Sequence, residues 1–205
     1  MTDLKMSLFK HTDKELTLGP GHHGVFVIKG EIKLSDYTVG QGEGHYLDGA
    51  QSPVLNIEAG VEVLHVCVSH SSVQDDFGPV LSEAVIDLDE GAKIFRLDQV
   101  SFPIGSCAYR HVHHGAGFRY LKEGALEITS DHGSEIIQTG EAWFEPAHSP
   151  VRATPQNDEP ASFVRAMIIP QSFKGKPTIK YLNADDETRP KLQTTTRFFD
   201  QDISL

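Results

Sequence analysis

Two cysteines, one tryptophan and three methionines are all that this chain of 205 residues has of those types. Cys67 and Cys107 are too few and too far apart for a disulfide framework, so burial and hydrogen bonding must hold the fold, and a reducing cytoplasm is the expected compartment. Positive charge is scarce as well: 18 Lys and Arg against 29 Asp and Glu leave a net charge of −11. With no basic stripe to follow a phosphate backbone, nucleic acid is not an expected partner. No run approaches the ~18 apolar residues of a membrane helix, and the opening MTDLKMSLFKHTDKEL lacks the apolar core that would predict a signal peptide. No membrane partner is expected. Helical periodicity is missing throughout, as are a nucleotide-binding glycine motif, a nucleophilic triad and zinc-finger spacing.

What is present is a succession of short apolar segments punctuated by glycine and proline. Hydrophobic residues make up 39% and charged residues 23%, the balance of an ordinary globular domain. Residues 25–28 and 31–34 flank Lys29-Gly30 as strand, tight turn, strand, and residues 61–69 run apolar like a buried strand. Turns spaced roughly every 8–12 residues predict an all-β sandwich or barrel. Residues 1–18 fit either an edge strand or an arm. Residues 171–205 are polar, with Phe198-Phe199 as their strong apolar anchor, and read as a surface arm docked on a neighbouring sheet or subunit.

An internal repeat sharpens the architecture. GEGHYLDGAQSPV at 42–54 matches GEAWFEPAHSPV at 140–151, and VFVIKGEI upstream of the first copy matches FRYLKEGAL upstream of the second. The chain reads as one β-unit duplicated.

The chemistry concentrates in 107–126, CAYRHVHHGAGFRYLKEGAL. On a strand, Cys107, Tyr109, His111 and His113 share one face, and Ala108, Arg110, Val112 and His114 share the other. His111 and His113 then have Cα atoms roughly 6.6 Å apart, which suits one metal ion bound by each imidazole at ~2.1 Å. With 11 histidines, chance supplies on the order of 0.6 such pairs per chain, so the surrounding repeat matters more than the spacing.

In that setting the chain resembles the cupin superfamily (RmlC-like), as a bicupin with a degenerate first domain. The family's first motif is His-x-His, a Glu three or four residues on and then a Gly; its second is Pro-x-Gly-x-x-His after a strand opened by Gly-Asp/Glu. Here Gly105 precedes His111-Val112-His113, Gly124 closes the first motif, and Gly140-Glu141 with Pro146 opens the second. The resemblance covers residues 90–170 well and 18–70 weakly. It implies two jelly-roll barrels of the double-stranded β-helix type: a degenerate one at 1–78, a second at 79–170 carrying the site, and an arm at 171–205. It further implies a divalent metal (Zn, Fe, Ni or Mn), chemistry of the dioxygenase, isomerase or lyase type, and a homodimer paired through sheet edges.

The chain departs from the pattern at two ligand positions: Gly117-Phe118 stands where the family has Glu, and His148 and Val151 stand for the second motif's Gly and His. Strand alternation offers replacements. If position 117 faces inward, so does Arg119, and Trp143 and Glu145 face inward from the following strand. The expected metal ligands are therefore His111, His113, Glu145 and His148, with Glu145 and Arg119 as catalytic groups. A buried Arg119 must be paired, so it faces Glu145, a bound anionic substrate or both. Tyr109 and Trp143 are expected as pocket walls or core, Cys107 as a small buried hydrophobe, and His114 as solvent-facing. His22 and His23 read as remnants of a first site with no partners, leaving the first barrel structural.

Two functions compete: a metal-dependent enzyme acting on a small anionic molecule, and a metal-free module that binds or senses one. Glu145 and His148 converging on the two histidines would favour the first, and a closed Arg119–Glu145 pair the second. A purely structural protein would need the pocket filled by side chains, and Gly117 is read as leaving room in it.

Overall fold

The computed structural model of the chain describes residues 4–35, 37–73, 76–86 and 90–204. The first half supplies β1 (Leu4–His11), β2 (Lys14–Thr17), β3 (His22–Lys29), β4 (Glu31–Lys33), β5 (Thr38–Gly40), β6 (Gly44–Asp48), β7 (Val54–Ile57), β8 (Glu62–His70) and β9 (Val80–Ile86). The second supplies β10 (Lys93–Phe102), β11 (Ala108–His113), β12 (Ala116–Glu123), β13 (Ala125–Ser130), β14 (Gly133–Gln138), β15 (Ala142–Glu145), β16 (Val151–Pro155), β17 (Ala161–Pro170), β18 (Ile179–Tyr181), the short helix α1 (Ala184–Thr188) and β19 (Thr194–Ile203).

These strands form four sheets, ordered β6-β3-β8-β1-β9, β2-β7-β4-β5, β15-β12-β17-β10-β19 and β14-β13-β16-β11-β18. The first and third trace one path twice, and so do the second and fourth apart from the added β18. The architecture is all-β and duplicated, as the repeat predicts.

The cores order the sheets into layers. Leu4, Met6, Phe26 and Val66 of the first half form one cluster with Phe95, Phe118, Val164 and Ile168 of the second, so the first and third sheets pack face to face. Separate clusters fill each barrel behind them. A strand covered on both faces reads as a nearly continuous apolar run, which is why β17 is ASFVRAMIIP. Its Val164, Ala166 and Ile168 belong to the shared core, and by alternation Phe163, Arg165 and Met167 face the second barrel.

Two segments differ from their sequence reading, and a third, the arm, takes one of its two alternatives, a neighbouring sheet. Leu4–His11 is neither edge nor arm but sits between β8 and β9. Strand β9, inside the range read as the second unit, hydrogen-bonds to β1 and completes the first half's five-stranded sheet. The arm docks on its own chain: β19 pairs with β10 along its length and β18 pairs with β11.

Candidate functional site

One line of residues crosses the third sheet at a single level. Trp143 of β15 lies opposite Arg119 of β12, Arg119 opposite Arg165 of β17, Arg165 opposite Asp98 of β10, and Asp98 opposite Arg197 of β19. All five line a cavity of about 300 Å³ inside the second barrel, whose facing wall includes His111 and His113 of β11. The sequence reading found Trp143, Arg119 and the histidines but missed Asp98, Arg165 and Arg197. A signal for Asp98 and Arg165 exists: KIFRLDQVSF and ASFVRAMIIP carry charges inside otherwise apolar runs. A charge there has to face a lined cavity or a partner.

The partners are specific. Arg165 makes two 2.9 Å bonds to the Asp98 carboxylate. Arg119 lies 2.8 Å from Glu145 Oε2 through Nη2, donates from Nη1 to the Gly117 carbonyl at 2.6 Å, and is only 1% exposed. The Nη2 contact is an ion pair whose angle makes no directed hydrogen bond, so Nη2 is held by charge alone among the described residues. Burial pushes the Arg119 pKa down to about 10 against the support of Glu145, leaving it a cation at neutral pH. Trp143 Nε1 donates to Glu145 Oε1 at 2.8 Å and fixes that carboxylate. Two residues along β10 from Asp98, Arg96 binds Asp200 of β19 through two bonds of 2.6 and 2.7 Å, and Arg197 stands 3.5 Å from the same carboxylate.

The histidines form a closed chain of hydrogen bonds. His111 Nδ1 is 2.7 Å from the Tyr109 carbonyl, which only accepts, so the proton is on Nδ1 and Nε2 is an acceptor. His113 Nε2 stands 3.1 Å away and Thr178 Oγ1 lies 3.2 Å from His113 Nδ1; with its proton on Nε2, His113 donates to His111 and accepts from Thr178, and with its proton on Nδ1 it donates to Thr178 and accepts from Arg165 Nη1. Burial lowers the pKa of both rings, and the guanidinium of Arg165 adds to the effect. Both are neutral at pH 7. Arg165 Nη1 lies 3.4 Å from His113 Nε2, so that nitrogen faces a guanidinium as well as the ring of His111.

Other expected site residues lie elsewhere. The ring of His148 packs against His114, and His114 stacks on Phe173 at 4.4 Å, half-covered rather than facing solvent. His148 does not line the cavity. A register shift between Ala108 and His111 breaks the alternation of β11, so Ala108 lines the cavity while the Tyr109 ring meets Arg189. Cys107 lies 3.7 Å from Thr154, away from the site. Gly117 does not leave room in the pocket: a Cβ there would stand 1.9 Å from the Ala166 carbonyl oxygen, so the glycine serves close strand approach.

The donor set does not fit a metal ion. Two nitrogens 3.1 Å apart could occupy neighbouring coordination positions, but no third His, Cys, Asp or Glu joins them among the described residues. Glu145 has one oxygen on Trp143 and the other against Arg119. A guanidinium, Arg165, stands beside His113, and a cation there opposes a second cation.

The matching row of the first barrel reads His45, Val25, His65, Phe9 and Val80. His65 and Phe9 replace Arg165 and Asp98. His23 Nε2 faces the Gly19 carbonyl at 2.9 Å, His23 Nδ1 meets His65 Nε2 at 2.9 Å, and His65 Nδ1 meets His11 Nε2 at 3.1 Å. Phe9 and Phe77 pack on these rings. His23 therefore has partners after all, in His65 and His11. His22 turns instead to Tyr46 and the Ser204 carbonyl.

No family model matches this sequence, and no curated protein is similar to it by sequence. Solved structures are. A cupin 2 conserved barrel domain protein from Leptotrichia buccalis is 16% identical, with 81% of this chain and 84% of that one covered and a TM-score of 0.52. Oxalate decarboxylase from Lactobacillus farciminis, in a formate complex, is 12% identical over 93% of this chain and 82% of that one, TM-score 0.61. The Bacillus subtilis oxalate decarboxylase, described with Mn(II) centres, is 14% identical over 92% and 74%, TM-score 0.60. With four antiparallel sheets that trace one path twice, and these barrels as neighbours, the chain has the duplicated cupin fold.

Proposed function

We propose that the second barrel binds a small organic anion directly on its guanidinium groups, without a metal ion. The observation that carries this reading is Arg119, buried in the cavity wall with Nη2 ion-paired to Glu145 but making no directed hydrogen bond. A carboxylate ligand would supply the directed, charge-assisted bonds that this contact lacks, for which the planar guanidinium is suited. Five cationic side chains and two carboxylates line the cavity, in a chain whose net charge is −11. Asp98 and Glu145 hold Arg165 and Arg119 in place before a ligand arrives, so little ordering remains to oppose binding. About 300 Å³ lies at the small end of ligand sites and suits a metabolite.

With the proton of His113 on Nε2, His111 Nε2 accepts from His113 and His113 Nδ1 accepts from Thr178, so neither histidine presents a free lone pair to the cavity. The reading is accordingly binding or sensing rather than turnover. The test is elemental analysis of protein purified without chelator or metal-affinity tag, with calorimetric titration of small carboxylates in the presence and absence of EDTA. The expected result is metal far below one equivalent and carboxylate binding unchanged by EDTA. Near-stoichiometric metal that disappears in the His111→Ala/His113→Ala variant would overturn the reading in favour of a metal-dependent enzyme.

A further inference from the structure

We propose that the occupant of this cavity is a dicarboxylate, with one carboxylate on Arg119 and the other on Arg197 and Lys191 of the C-terminal arm; this rests on the anion-binding reading above. The argument begins with charge. Asp98 neutralises Arg165 and Glu145 neutralises Arg119. Asp200 can neutralise only one of Arg96 and Arg197, and both contact it. Lys191 Nζ bonds backbone carbonyls of Asp186 and Glu187 and lies 4.6 Å from the Tyr181 ring centroid, with no carboxylate partner among the described residues. Uncompensated charge is left at the arm end on Arg197 and Lys191, while Arg119 at the other end is held by Glu145 without a directed hydrogen bond.

Open hydrogen-bonding capacity is found at both ends of the row. Its middle is closed, because Arg165 and Asp98 pair through two bonds. The buried side-chain atoms without hydrogen-bond partners among the described residues are Arg119 Nη2, Arg197 Nε and Gln193 Oε1, and all three residues line this cavity. Arg119 and Arg197 are separated by β17 and β10, so their backbones stand roughly 14 Å apart, three strand spacings of ~4.8 Å. Both residues line the cavity, and an occupant that meets both is a short chain bearing an acid group at either end. Val100, Phe102 and Phe163 give the cavity an apolar wall, suited to methylene groups. Gln193 Oε1 is an acceptor, so it asks the occupant for one hydrogen at the arm end, which a hydroxyl substituent supplies.

The experiment is isothermal titration of the full chain at low ionic strength with succinate, glutarate and adipate, each against the monoacid of equal carbon number: butanoate, pentanoate and hexanoate. At one or more lengths the diacid should bind at least tenfold more tightly, the order expected of one additional charged hydrogen-bonded contact. Arg197→Gln and, separately, Lys191→Gln should reduce the diacid toward its monoacid, weakening the diacid by a larger factor than the monoacid; both positions are partly exposed, and circular dichroism verifies that each variant is folded. Diacid and monoacid binding equally, or folded variants that keep the full preference, would overturn the dicarboxylate proposal while leaving anion binding intact. Binding of neither class would overturn both.

Discussion

Lowering the pH from 7.5 to 5.0 should destabilise the folded chain by about 2 kcal/mol through His11 alone. Burial, with Lys14 adding to it, pushes the His11 pKa from 6.5 down to about 4. The folded-state value is below the unfolded one, so under pH 6.5 the unfolded chain binds more protons. The contribution is therefore complete above pH 6.5 and lost as the pH falls toward 4. At pH 5.0 an unfolded His11 is roughly 97% protonated and a folded one roughly 10%, which corresponds to about 2 of the ~3.4 kcal/mol lost in full below pH 4. The structure gives the cause: His11 is tied to His65 and through it to His23, in a chain that starts at the Gly19 carbonyl and is packed by Phe9 and Phe77. His65 is lowered further, again by burial first and then by its neighbouring histidines. Urea titrations followed by circular dichroism at both pH values, on the native chain and on His11→Gln, read the effect directly. The variant should lose about 2 kcal/mol less than the native chain over this interval. Equal losses in the two proteins would refute the reasoning.

Two further outcomes test the second barrel. Arg119→Met strands Glu145 beside a buried site and should cost about 3–5 kcal/mol, whereas Arg119→Met combined with Glu145→Leu should recover most of it; a denaturant-measured double-mutant cycle with no coupling would show that the pair does not act as one. Gly117→Ala places a Cβ where the Ala166 carbonyl oxygen stands 1.9 Å away, so β12 and β17 must move apart. The expected destabilisation is at least about 1–3 kcal/mol, read as a lowered Tm, and an unchanged Tm would mean the strands are not so closely paired.

The repeat shared by residues 42–54 and 140–151 made the duplicated all-β architecture legible before any coordinates, because register and turn chemistry are local properties written as alternation and glycine placement. His111, His113, Arg119, Trp143 and Glu145 were legible for the same reason, and each lines the cavity. Alternation failed at Tyr109, where a register shift in β11 turns the strand, and at His148, whose loop position strand periodicity does not govern. Which groups meet across strands was decided by the tertiary structure alone. Asp98, Arg165 and Arg197 stand on strands 32 to 99 residues apart in sequence, and only the sheet order brings them into one row. The same holds for His11, His23 and His65. The arm too is invisible as a pocket wall in its own polar sequence, since β19 acquires its inward face by pairing with β10. The sequence by itself determined the strands, the duplication and most of the residues facing inward. Tertiary structure decided that Glu145 pairs with Arg119, because an ion pair depends on the distance between side chains that no local pattern records.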